Sequence, residues 1–333
     1  MKIDIISGFL GAGKTTFIKR LLETSIGKEK VVLIEIEFGE VSVDSDFLAD
    51  SKIDIQELSQ GCICCSLVGD FSKSLNEVIE KYNPDRILIE PSGVGKLSDV
   101  EKAIADANLS EYLNSLICLV DVTKAKMYTK NFGEFFLNQI EYANTIILSR
   151  TDVAKPEKVE EAISIIRKHN ESCVLVTTSI KDLSDEALLK AYEGVNEDFK
   201  SELLESIKHE HEHHHDEECC CGHHHEHEHH HDEECNCGHH HHHHADEIFT
   251  SVGIETAKKF NIDELNQMLI NMSMGEYGMI VRAKGIICGT DGLWYQFNLT
   301  PGEVEIDDSS ACHIGKICVI GSNIDEHQIK ELF

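Results

Sequence analysis

Basic residues are scarce. Thirty lysines and arginines face sixty aspartates and glutamates over 333 residues, a formal net charge of −30. A surface of that sign repels phosphate backbones and anionic headgroups, which argues against nucleic acid or an anionic membrane as partner. Long apolar runs are missing as well, and no stretch approaches the ~20 residues a bilayer span requires. No leader-like pattern precedes the first candidate strand, so the expected compartment is the cytoplasm. In a reducing compartment thirteen cysteines, several spaced as C-x-C, point to metal or redox chemistry rather than disulfides. The length suits about two domains, each able to bury a core of its own.

The most informative stretch is Gly8-Phe9-Leu10-Gly11-Ala12-Gly13-Lys14-Thr15, a complete G-x-x-x-x-G-K-[ST]. Lys2–Ile6 before it reads as a buried strand. Thr16–Leu22 after it reads as an amphipathic helix with Phe17, Ile18, Leu21 and Leu22 on its apolar face. In that setting Gly8, Gly11, Ala12 and Gly13 turn backbone N–H groups around a phosphate at the positive end of a helix, and Thr16 adds to the same cradle. Lys14 reaches the β- and γ-phosphates, and the Thr15 hydroxyl ligates Mg²⁺.

Further strands are expected at Val31–Ile34, Ile53–Leu58, Arg86–Glu90, Ser115–Asp121, Asn144–Leu148 and Cys173–Thr177, with a helix over Leu67–Tyr82. Cys118 falls inside one of these strands and reads as packing. Acidic residues Glu35, Glu37 and Glu40 follow the second strand, where nucleotide switches meet a metal; a solvated acidic loop is the alternative. Cys62, Cys64 and Cys65 form a C-x-C-C whose three thiols can converge on one soft ion but leave a tetrahedral shell incomplete. Glu37 is the candidate fourth ligand. An incomplete shell suits handing a metal on; a redox-active thiol pair and three cysteines with no special role are the competing readings. Glu90-Pro91-Ser92-Gly93 places an acid at a strand end, beside Mg²⁺ or the attacking water, with the Gly93 N–H near the γ-phosphate. Ser149-Arg150-Thr151-Asp152 stands where a guanine-reading N-K-x-D belongs. Asp152 can accept guanine N1–H and N2–H, the Arg150 stem can lie over the base, and Thr178-Ser179 can approach it.

From His209 to His244 the composition changes: eighteen of the twenty-one histidines lie here with five cysteines and many acids. His213-His214-His215-Asp216-Glu217-Glu218-Cys219 recurs at His229–Cys235. With nothing apolar to bury, this tract is expected to be a disordered linker, and its imidazoles and thiols favour Zn²⁺, Ni²⁺ or Co²⁺. The expected organisation is therefore a nucleotide-binding domain over 1–208, a metal-binding linker over 209–244 and a small α+β domain over 245–333. In the last, Met279–Ile287 and Leu293–Phe297 pair around Asp291-Gly292; Arg282 and Lys284 read as a solvated strand face, with an acidic partner or ligand as the alternative.

These motifs together resemble the CobW-type metallochaperone GTPases. The resemblance rests on Gly8–Thr16, Glu37-Phe38-Gly39-Glu40, Gly61-Cys62-Ile63-Cys64-Cys65, Glu90-Pro91-Ser92-Gly93 and Arg282-Ala283-Lys284-Gly285. It implies an α/β P-loop G-domain with a mainly parallel sheet, followed by the small α+β domain. It also implies GTP hydrolysis with Mg²⁺, coupled to delivery of Zn²⁺, or Co²⁺ or Ni²⁺, to an apo client metalloprotein through Cys62, Cys64 and Cys65. Lys14, Glu90 and Gly93 would carry the hydrolysis. Ile36 stands where the family often has Asn, and Ser149-Arg150 replaces Asn-Lys. A metal buffer with a regulatory nucleotide domain, a nickel-insertion GTPase and an ATP-using kinase are the rival readings, and a homo-oligomer is left open.

Overall fold

A computed structural model describes residues 1–37, 54–59, 68–193, 248–312 and 314–333, with the side chains of 37, 54–59, 68–70 and 193 not described. All of these fall in one compact unit, Met1–Val195 together with His244–Phe333. Two sheets, each with its own core, make up that unit.

The first sheet is wholly parallel. Its strands are β1 (Lys2–Gly8), β2 (Val31–Glu37), β3 (Asp54–Ser59), β4 (Arg86–Glu90), β5 (Leu113–Asp121), β6 (Thr145–Ser149) and β7 (Val174–Val176), in the order β3-β2-β4-β1-β5-β6-β7. The nine residues of β5 are buried throughout, as a strand covered on both faces must be. The covering helices are α1 (Lys14–Leu22), α2 (Val68–Tyr82), α3 (Leu97–Asp106), α4 (Ala125–Glu141), α5 (Pro156–His169) and α6 (Asp185–Glu193). Helix α1 follows the expected apolar spacing, burying Phe17, Ile18 and Leu21 against Leu119, Leu188 and Tyr192. Strand order reverses on either side of β1, so the crevice at its carboxyl end is where an open α/β sheet binds ligands.

The second sheet runs β12-β11-β10-β13-β8 antiparallel, from β8 (Thr250–Thr256), β10 (Met279–Gly289), β11 (Trp294–Thr300), β12 (Glu303–Ser309) and β13 (Gly315–Ser322). A two-residue β9 (Lys259–Phe260) lies parallel to β10. Helices α7 (Ile262–Ser273) and α8 (Glu326–Leu332) bury Leu265, Leu269, Met272 and Ile329 against it. Each begins at a side-chain cap: Asn261 accepts from the Asp263 and Glu264 amides, and Asp325 from the His327 and Gln328 amides.

One expectation is corrected. Arg282 and Lys284 do not form a solvated face: Lys284 is 8 % exposed and Arg282 half-buried on β10. The sequence shows alternation there, but it cannot show that β10 also faces the first sheet's loops. The tract 209–244 and residues Cys62, Cys64 and Cys65 lie outside the described residues. No described helix is long and apolar enough to cross a membrane.

Candidate nucleotide and metal site

The G-x-x-x-x-G-K-T loop leaves β1 and enters α1 with its first two x residues anchored. Phe9 packs against Tyr128, Phe132, Phe136 and Phe249, and the Tyr128 hydroxyl donates to the Leu10 carbonyl at 3.2 Å. Gly11 and Gly13 supply the left-handed backbone that follows, at φ 74° and 95°. Gly13 caps α1 at φ 95°, a left-handed conformation open to glycine, and among the described residues no side chain caps the helix. The first amides of α1 are therefore turned toward the loop, as an anion requires. Lys14, 5 % exposed, folds back so that its Nζ donates to the Gly8 carbonyl at 3.1 Å. Thr15 is half-buried and Thr16 exposed. This cradle fits a phosphate group.

Glu90 ends β4 beside it. Its carboxylate lies 3.9 Å from Lys14 Nζ, and Oε2 is buried without a hydrogen-bond partner among the described residues. Burial pushes the Glu90 carboxyl above its usual range, against the pull of Lys14 and Arg282. A buried carboxylate oxygen left unpaired is a donor seat for Mg²⁺ or a water, so the residues present fit that ion too. Glu35 of β2 sits opposite Glu90 in the strand register and is 2 % exposed. Gly93 passes so close to the P-loop that a Cβ would meet Leu10 Cδ2 at 2.6 Å and Leu10 N at 2.9 Å. Gln139, fully buried on α4, holds this segment by donating to the Gly93 and Gly95 carbonyls at 3.1 and 2.7 Å. Nothing in the sequence marks Gln139, because its role arises from the fold.

On the other flank, Ser149 packs beside Gly13, with 4.0 Å from a Cβ there to Ser149 Cβ. The following Arg150 has φ 60°, and its carbonyl accepts from the Val153 and Ala154 amides. Arg150 Nε lies 3.2 Å from Asp121 Oδ2, while Nη1 donates to Glu303 Oε1 at 2.5 Å. Asp152 is exposed, 3.5 Å from Lys181, which places the loop after β7, with Thr178 and Ser179, alongside it. Lys124, at the start of α4, donates to Thr300 Oγ1 at 2.6 Å and pairs with Glu303 at 3.4 Å. Lys124, Thr300 and Glu303 were not readable from sequence; the only signal was the Pro301-Gly302 turn before an unrecognised strand, β12.

Glu37 closes β2, with its backbone opposite Ser59, the last residue of β3. Its side chain and the three cysteines lie outside what the structure describes. Among the described residues no group of three or more His, Cys, Asp or Glu side chains is placed to hold a metal ion.

Two family models match this chain: the CobW/HypB/UreG nucleotide-binding domain over residues 2–176 and the cobalamin synthesis protein CobW C-terminal domain over 249–333. The chain belongs to the CobW/HypB/UreG family. Its P-loop, its Glu90–Gly93 segment and its parallel sheet fall in the first of these parts, and Arg282, Thr300 and Glu303 in the second. Among relatives, zinc chaperone YjiA of Escherichia coli is 34 % identical over 173 residues, covering 49 % of this chain and 54 % of that protein. Zinc-regulated GTPase metalloprotein activator 1 of Dictyostelium discoideum is 24 % identical over 226 residues, covering 56 % and 47 %. The chain thus spans about half the length of the curated relatives it matches. Among solved structures, Zn(II)-bound YjiA GTPase from E. coli aligns with a TM-score of 0.43 at 20 % identity, covering 99 % of this chain and 97 % of that one. HypB from Helicobacter pylori in complex with nickel aligns with a TM-score of 0.40 at 18 % identity, covering 63 % and 88 %.

Proposed function

We propose that this protein is a GTP-hydrolysing metallochaperone, carrying Zn²⁺, with Co²⁺ or Ni²⁺ as lesser candidates, from Cys62, Cys64 and Cys65 to an apo client protein. The observation that carries this reading is the strand register. Glu35 lies opposite Glu90 at the phosphate end of the sheet, and two residues on, Glu37 lies opposite Ser59. Adjacent strands run about 4.8 Å apart, and three peptide units, at most about 10 Å, separate Ser59 from Cys62. The chain that carries the candidate metal ligands therefore leaves the same end of the sheet as Glu90, two strands away from it. The names of the relatives, zinc chaperones and a zinc-regulated GTPase, agree with zinc as the cargo.

In this reading the P-loop amides and Lys14 hold the β- and γ-phosphates, with the Lys14 ammonium moving from the Gly8 carbonyl to phosphate oxygen. Thr15 would hold Mg²⁺, which supplies charge neutralisation at the β- and γ-oxygens. Glu90, whose Oε2 has no hydrogen bond among the described residues, orients water for attack on the γ-phosphate, and Gly93 presents its N–H there. Gln139 keeps that segment from drifting. Arg150 and Asp152 receive the guanine. Loss of the γ-phosphate relaxes the segments flanking Glu37 and Glu90, which changes the ligand geometry around the three thiolates and releases the cargo. The His209–His244 tract raises the local concentration of metal beside the site.

The test is the metal response of turnover. Replacing Cys62, Cys64 and Cys65 by Ser should leave basal GTP hydrolysis intact and abolish its dependence on Zn²⁺; an unchanged response overturns the coupling. The tract's histidines support a second reading, a metal buffer. Deleting 209–244 should spare one tight, nucleotide-sensitive site, whereas a buffer loses nearly all its zinc affinity.

A further inference from the structure

The turn between β11 and β12, Thr300-Pro301-Gly302-Glu303, belongs to the C-terminal sheet yet ends in the nucleotide crevice. Thr300, 1 % exposed, lies against the P-loop itself: a Cβ on Gly11, whose φ is 74°, would meet the Thr300 methyl at 2.7 Å. Lys124 Nζ donates to the Thr300 hydroxyl at 2.6 Å and pairs with Glu303 Oε2 at 3.4 Å. The other carboxylate oxygen of Glu303 accepts from Arg150 Nη1 at 2.5 Å, and Asp121 holds Arg150 Nε at 3.2 Å. A guanidinium hydrogen-bonded to one carboxylate and ion-paired with a second is restrained, which limits where its aliphatic stem is presented. The P-loop, the ends of β5 and β6, and the start of α4 all meet at this one turn.

We propose that Glu303 is a positioning residue for the nucleotide, delivered by the C-terminal sheet: it fixes Arg150, and with Thr300 it ties that sheet's seating to occupancy of the P-loop. The inference rests on the reading that Arg150 lies over the base. Linkage makes the effect reciprocal, so whatever seats the turn tightens nucleotide, and nucleotide steadies the turn. The C-terminal sheet then acts as part of the base site, and any partner that docked on it would alter nucleotide affinity without touching the nucleotide.

A double-mutant cycle with a fluorescent GDP tests this in the full chain. Glu303→Gln should weaken binding about tenfold, Glu303→Asp by less, and Glu303→Gln should add less than about twofold in an Arg150→Ala background. Under steady-state GTP hydrolysis the loss should appear in KM with kcat held. If Arg150→Ala leaves GDP affinity unchanged, both this inference and the base-site reading fall. If Arg150→Ala weakens binding while Glu303→Gln does not, or if Glu303→Gln costs the same in both backgrounds, only this inference falls. Hydrogen exchange on the unmodified protein gives a reading free of folding defects. GDP should slow exchange of the Gly302 and Glu303 amides, and equal exchange with and without GDP overturns the proposal.

Discussion

Buried charges occupy both ends of the parallel sheet, and they are treated in opposite ways. At the amino ends of the strands, Arg86, fully buried, donates to Asp4 at 2.6 Å and to Glu29 at 2.8 Å, and Asn114 completes Asp4 at 2.7 Å. Both Asp4 oxygens and the Arg86 guanidinium have partners there. At the carboxyl ends, Lys14 sits 3.9 Å from Glu90, and one Glu90 oxygen has no hydrogen bond among the described residues. A satisfied network fixes a structure; an unsatisfied one leaves capacity for a ligand. The same sheet therefore carries a structural end and a chemical end, distinguishable by hydrogen bonding before any ligand is considered.

Mutation should separate them. Arg86→Ala leaves Asp4 buried and uncompensated, and should cost about 3–5 kcal/mol in a denaturant melt. Nucleotide affinity measured well below the melting range should change little. Lys14→Ala inverts this pattern: stability is nearly kept, while kcat/KM for GTP falls by about 10²–10³, the usual loss for one preorganised charge at a transition state. A large stability loss from Lys14→Ala would erase the distinction. Glu90→Gln is sharper, because it should slow hydrolysis about 10²-fold while stabilising the nucleotide-free protein.

The smallest effect is one of pH. Burial raises the Glu90 carboxyl above its ordinary 4.5, against Lys14 and Arg282, so in the window above that value the native state holds more protons than the unfolded one. Stability contributed by this group is lost as pH rises through the window, and the advantage of Glu90→Gln over the unmodified protein should grow from pH 4.5 upward in thermal melts. Glu303 runs the other way. Burial raises it, but Arg150 and Lys124 outweigh that and leave it lowered, so its contribution is present above the ordinary value and lost as pH falls. Glu303→Gln should be relatively most harmful at neutral pH. Parallel pH trends for the two variants would contradict the assignment.

Much of this was legible in the residues. The P-loop, Glu90–Gly93 and the strands expected at Lys2–Ile6, Val31–Ile34, Arg86–Glu90 and Asn144–Leu148, found at Lys2–Gly8, Val31–Glu37, Arg86–Glu90 and Thr145–Ser149, follow from apolar runs punctuated by glycine and proline, since parallel strands covered on both faces have no polar alternation to confuse them. Helices α3 to α6 carry no motif that marks them in the sequence. The connection between the two sheets was hidden for a different reason. Phe249, Arg282, Thr300 and Glu303 lie more than a hundred residues from Phe9, Glu90, Gly11 and Arg150, and no local pattern records a contact at that separation. A polar residue on an alternating strand looks solvated until a second sheet is placed against it, and the solvated-face reading of Arg282 and Lys284 fails for that reason.

The central claim, that nucleotide state governs the grip of Cys62, Cys64 and Cys65 on their ion, is tested most directly by zinc calorimetry on the protein lacking residues 209–244. The account predicts one tight site whose affinity differs by at least about tenfold between GDP and a non-hydrolysable GTP analogue, a coupling within the ordinary allosteric range. Equal zinc affinity with the two nucleotides would contradict it.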